Sequence, residues 1–136
     1  MNIRTMLAAA SLALTVGFTG AASAQDMVVI GHPSAAALSK DQVSDLFLGK
    51  SQAFTPLDLN DSSPQYAAFY RKATGREVAQ VKSTWSRVVF TGKGQPPKQL
   101  ADAAAVKKAV AADPKAVGYI EKSAVDGSVK VVLALD

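Results

Sequence analysis

Short apolar, β-branched runs alternate with stretches whose apolar residues recur every three to four positions, and that alternation restricts the fold most. "MVVIGHP" opens the pattern at Met27 and is stopped by Gly31 and Pro33, which predicts a buried strand. In "LSKDQVSDLFLG", Ser39 and Gln42 have capping-box spacing and Asp41 falls in the first turn. Val43, Leu46 and Phe47 form one stripe of that helix, and Gly49 ends it. "AFTPLDLN" predicts a second strand, in which Pro56 marks either an edge or a start. Tyr66, Phe69, Tyr70 and Ala73 share one helical face up to the break at Gly75. Glu77 opens a second helix, with Val78, Val81, Trp85, Val88 and Val89 on its buried side. "TGKGQPPKQ" reads as a loop, and an Ala-rich helix runs from about Leu100 to Ala112, before Asp113-Pro114. "AVGYI" and "VKVVLAL" are two more strands, joined by a short turn or helix in "EKSAVDG". Strands separated by helices predict an α/β fold, a mixed sheet of four strands flanked by helices.

The first residues stand outside this pattern. Arg4, the apolar run Met6 to Phe18 and Ala22-Ser23-Ala24 have the layout of a signal peptide over residues 1–24, cut before Gln25. The run is shorter than the ~20 residues of a bilayer span, and no later segment is apolar enough to insert after cleavage. Residues 25–136 then form one domain in the periplasm, or outside the cell if it is secreted. The chain has no cysteine, which excludes disulfides, thiol catalysis and cysteine metal sites. Its formal charge of +4 is spread along the sequence, with only the pairs Arg71-Lys72 and Lys107-Lys108. That spread argues against nucleic acid as a partner, while the mild positive excess favours an anionic ligand.

Catalysis has little to work with. His32 is the single histidine, and no catalytic residue, metal site or cofactor is expected. "FLGKS" resembles the end of a phosphate-binding loop, but Ser44 stands where that motif needs glycine, and Gly49 ends a helix instead of preceding one. "FTGKGQPPK" is glycine-rich and basic; it is either a plain connector or a loop presenting amides and Lys93 to an anion. The sharper candidate is "DLNDSSPQYAAFY". Ser62 with Gln65, or Ser63 with Pro64 at the first helical position, would cap a helix here. A helix start offers free amides and a positive dipole end to an anion. Pro64 removes one amide, and Asp61 requires that the anion carry a proton. A simple capped helix remains the alternative.

The order "LSKDQVSDLFLGK", the Ser-containing helix start, "FYRKATG", "TWSRVVFTGKGQPP" and "AVGYIEKSAV" resembles the phosphate-transporter substrate-binding protein family, in its small single-lobe members. The resemblance implies a single lobe, chiefly the second, of the type II periplasmic-binding-protein fold. It also implies an oxyanion held partly by a Ser-Gly-Thr turn that follows an acidic residue and an arginine. Asp61 matches the acidic position and Ser63 the serine. Pro64 stands in place of the glycine, Gln65 in place of the threonine, and Leu57, Asp58 and Leu59 occupy the region of the arginine.

Two functions follow as expectations. The first is a non-enzymatic, ABC-transporter-related solute-binding protein for phosphate or a related oxyanion. Its ligand residues would be Asp61, Ser62, Ser63 and Gln65, with Arg87 and Lys93 as basic helpers. Arg87 is equally readable as a surface charge. A single lobe would hold an anion tightly only if a second copy or another protein covered it. The second is an accessory or protein-interaction module that keeps the fold without the ligand.

Overall fold

Each helix begins where a side chain takes up an amide that the helix itself leaves free. The computed structural model describes residues 26–135; the expected export signal over residues 1–24 lies outside them. Ser39 and Gln42 close the expected capping box at α1 (Lys40–Phe47). At α2 (Pro64–Thr74) the cap is Ser63, with Pro64 at the first helical position. Gly75 ends that helix at φ +72°, a left-handed conformation that a residue with a Cβ resists. In α3 (Val78–Phe90) the Gln80 side chain accepts from the Glu77 amide. Asp102 accepts from the Ala105 amide to start α4 (Ala103–Ala112).

The strands are β1 (Met27–Gly31), β2 (Thr55–Leu59), β3 (Lys98–Leu100), β4 (Ala116–Glu121) and β5 (Lys130–Leu135), in the order β3-β2-β4-β1-β5. β2 runs parallel to β3 and β4, while β1 is antiparallel to β4 and β5. The sheet is therefore mixed, as expected, but it has five strands and not four. The extra one, β3, takes the end of the expected loop and the first residue of the expected third helix. Leu100 pairs with Leu59 in the sheet, so α4 starts only at Ala103. Pro56 lies at the start of an interior strand, opposite Val117. The "EKSAVDG" connection contains a 3-10 turn, Lys122–Ala124. No helix of the described residues is long and apolar enough to cross a membrane.

Alternation along the strands sorts side chains onto two faces. On one, Tyr119 of β4 meets Phe47 of α1 and Phe69 of α2, and all three are fully buried. On the other, Gly118 turns toward Val106 of α4. Helices thus cover both faces. The third helix, α3, packs outside this core: the Trp85 indole N–H donates to the Phe47 carbonyl at 2.9 Å. Only Val81 and Trp85 of α3 are buried. Val88 is half-buried, and Val89, expected on the buried side, is 41% exposed. The physical reason is that α3 has a neighbour on one narrow stripe only.

At Gly118, α4 packs close against the sheet. A Cβ there would lie 2.6 Å from Val106 Cγ1. Val106 is fully buried, and a β-branched side chain in a helix has one strongly preferred rotamer. Gly118→Ala should therefore push α4 outward and lose about 1–3 kcal/mol. Urea unfolding would show this as a lower midpoint at unchanged slope; an unchanged midpoint would mean that Val106 repacks without cost.

Candidate functional site

β2 carries a carboxylate into the core and then delivers the chain to the start of α2. Asp58 is 2% exposed, the single buried charged residue among those described. Its Oδ1 accepts from the hydroxyls of Tyr70 and Tyr119, each at 3.0 Å. The Tyr119 oxygen in turn accepts from the Leu59 amide at 3.1 Å. Burial pushes the Asp58 carboxyl up to about 7, against the lowering effect of the two hydroxyls. Burial, with Asp58 nearby, also raises Tyr70 and Tyr119 far above the ordinary phenol range.

Beyond β2, Asn60 organises the turn. Its Oδ1 accepts from the Ser62 amide at 2.9 Å and the Ser62 hydroxyl at 2.7 Å. Its carbonyl accepts from the Ser63 amide at 2.9 Å and the Ser63 hydroxyl at 2.8 Å. Ser63 Oγ accepts from the Tyr66 amide at 3.2 Å, which is the cap of α2. The Asp61 amide reaches Gln99 Oε1 at 3.4 Å, and the Gln65 side chain donates to Glu121 at 2.7 Å. Both serines are thus bound within the turn itself.

Asp61 faces an open cleft of about 600 Å³ between the β2–α2 junction, α3 and the entry to β3. Its carboxylate pairs with Lys82 Nζ at 2.9 Å, and hydrogen bonding to Lys82 holds it below the ordinary carboxylate value. Asp58 reaches the floor of the cleft, and Tyr66, Ser86 and Gln99 line it as well. Burial pushes the Tyr66 hydroxyl up to about 12, with Asp58 and Asp61 adding to the rise. The remaining wall is apolar: Trp85, Val89, Phe90, Pro96 and Pro97. Phe90 is 91% exposed.

The expected ligand residues are dispersed among these features. Asp61 lines the large cleft, whereas Ser63 and Gln65 line a second of about 200 Å³ together with Asp102 and Glu121. Lys93 lines a third, with Gly94 and Gln95. Ser62 is exposed on the turn, and Arg87 is exposed and absent from the lining of all three clefts. The turn brings Asp61, Ser62, Ser63 and Gln65 together; neither Arg87 nor Lys93 joins them. The cation beside Asp61 is Lys82; neither it nor Asp58, Ser86 or Gln99 is among the ligand residues expected from the sequence. A signal was present: Lys82, Trp85, Ser86 and Val89 have the spacing of one helical face.

The same sheet and helices occur in solved structures. An ABC-type phosphate transport receptor from Vibrio cholerae matches at a TM-score of 0.61 and 18% identity, over 79% of this chain and 45% of that one. The chain has the fold of one lobe of a periplasmic binding protein. A Clostridium perfringens protein assigned as a phosphate ABC transporter substrate-binding protein, with bound phosphate, matches this lobe at 0.59 and 20% identity, over 79% and 44%. PstS from Borrelia burgdorferi matches it at 0.57 and 11% identity, over 79% and 46%. The lobe spans less than half the length of each of these proteins. No protein-family model matches its sequence, and no curated protein does.

Proposed function

We propose that the chain is a non-enzymatic solute-binding lobe, exported to the periplasm or beyond, that takes a small protonated oxyanion of the phosphate class. The observation that carries this reading is the Asp61–Lys82 pair at the start of α2, on the carboxyl side of the parallel strands β2 and β3. Open α/β sheets bind ligands on that side of their strands. Lys82 supplies positive charge, and Ser86 and Gln99 supply hydrogen bonds from the same cleft. Asp61 accepts a hydrogen bond from the P–OH that the anion still carries, and its charge would repel a fully ionised anion. The phosphate-receptor fold of the neighbours supports the same choice of ligand.

Affinity should be low. An exposed charge-assisted contact contributes on the order of 1 kcal/mol, and three or four of them correspond to a Kd of about 1 mM. Calorimetric titration of the mature protein with inorganic phosphate should give saturable heat in that range. Lys82→Ala should weaken binding about tenfold, and Ser63→Ala less, since Ser63 acts by holding the turn. A folded protein that gives no heat at tens of millimolar phosphate would sink the proposal.

A second reading is favoured by the bonds that hold Ser62 and Ser63 to Asn60 and by the exposure of Phe90. It makes the lobe an accessory module that meets another protein, or a second copy of itself, through the apolar side of the cleft. Absence of phosphate heat together with self-association would select it.

A further inference from the structure

We infer that the large cleft takes an organic phosphate monoester with an aromatic body in preference to the inorganic ion. The inference rests on the oxyanion reading of the same cleft and names its substrate class. An inorganic oxyanion needs donors and charge, and it gains nothing from an apolar wall. This cleft has both kinds of surface in one concavity: Lys82, Asp61, Ser86 and Gln99 line it together with the apolar Trp85, Val89, Phe90, Pro96 and Pro97. Its volume of about 600 Å³ falls in the range of sites for small organic molecules, about 300–1,000 Å³.

The positions of the two kinds of group follow from α3. Lys82 and Ser86 lie one helical turn apart, and Val89 and Phe90 lie one turn further on. A ligand lying along α3 therefore meets charge first and apolar surface second. The head of the ester takes over the direct Asp61–Lys82 contact, 2.9 Å in the free protein, and meets Lys82 with its charged oxygens and Asp61 with its P–OH. The ring lies against Phe90 and the Pro96-Pro97 segment, where aromatic faces and proline rings offer flat contact. The ionised carboxylate of the cleft, Asp61, selects the monoanion, whose remaining P–OH donates to it. Phe90, 91% exposed in the free protein, becomes covered.

The test compares three probes at pH 6, near the second ionisation of a phosphate monoester (about 6): phenyl phosphate, inorganic phosphate and phenol. Phenyl phosphate should bind at least tenfold more tightly than inorganic phosphate, and phenol should bind more weakly than phenyl phosphate by a similar factor. Phe90→Ser should erase most of the advantage of the ester, and circular dichroism checks that this exposed substitution leaves the fold intact. Lys82→Ala should weaken the ester about tenfold. Equal affinity for ester and inorganic ion overturns the inference while leaving the oxyanion reading standing. No binding of either phosphate overturns both. Phenol binding as well as the ester would make the cleft merely apolar. Concentration-dependent dimerisation abolished by Phe90→Ser would assign the wall to a second copy and also overturn the inference.

Discussion

Asp58→Asn should raise stability at pH 8 and change it little at pH 4. The carboxyl sits among Tyr70, Tyr119 and the β2 backbone with 2% exposure, and burial raises it from the ordinary 3.8 to about 7. A carboxyl that holds its proton more tightly when folded makes the folded state more stable at low pH. That contribution is complete below about 3.8 and is lost as the pH rises through about 7. About 1.4 kcal/mol accompanies each tenfold difference in proton affinity, so the loss between pH 4 and pH 8 is on the order of 4 kcal/mol. Asparagine keeps an oxygen for both tyrosine hydroxyls and has no charge to bury. Urea unfolding at a series of pH values should show the wild-type stability falling across this window and the variant nearly flat. Asp61 and Asp126 shift the opposite way and act below about pH 4, outside the window. A wild-type stability that is flat from pH 4 to 8 would show that water or a local opening reaches Asp58 when it ionises.

Phe69→Ala should destabilise the protein by about 3–5 kcal/mol, a large share of what a domain of this size has. Phe69 is fully buried and stacks on Tyr119 at 3.8 Å between centroids with a 3° interplanar angle. It also meets Phe47 edge-on at 4.6 Å and Tyr70 at 5.0 Å. Truncation opens a cavity under the sheet that these rigid rings cannot fill. Phe69→Leu, which keeps most of the volume, should lose far less, roughly 1–2 kcal/mol. Tyr119 also donates to Asp58, so the alanine variant should flatten the pH dependence as well, because a looser cluster lets water reach the carboxyl. Calorimetric melting at pH 5 and pH 8 measures both effects. An alanine variant within 1 kcal/mol of wild type would mean that the cluster collapses onto the gap.

Local chemistry made much of the fold legible. Ser39 with Gln42, Ser63 with Pro64 and the stripe Tyr66, Phe69, Tyr70, Ala73 act over one or two helical turns, and a sequence displays them directly. β3 was hidden because nothing in Lys98–Leu100 is strand-like by itself; its pairing with Leu57–Leu59 makes it a strand. Asp58 alternates with Leu57 and Leu59, so it reads as the solvent side of a half-buried strand. The sheet has helices on both faces, and that face is the core. Val89 and Phe90 illustrate the converse: they are apolar and helical in spacing, yet no element lies over them. At the candidate site the sequence displayed the cap and the acid, Ser63 and Asp61, while the cation that meets the acid lies a helix away. Sequence distance concealed Lys82, whereas Lys93 stands out in its glycine-rich loop and Arg87 as a basic residue just before it.

The position of β1 has a consequence for the life of the chain before it is folded. β1 is first in sequence and lies between β4 and β5, the last two strands, with Met27 opposite both Glu121 and Leu135. During synthesis the first strand has no neighbour until almost every later residue has emerged. Contacts so far apart in sequence close slowly. The pairings of β1 with β4 and β5 are therefore the last part of the sheet to be completed, and until then the chain is kept open by its own topology.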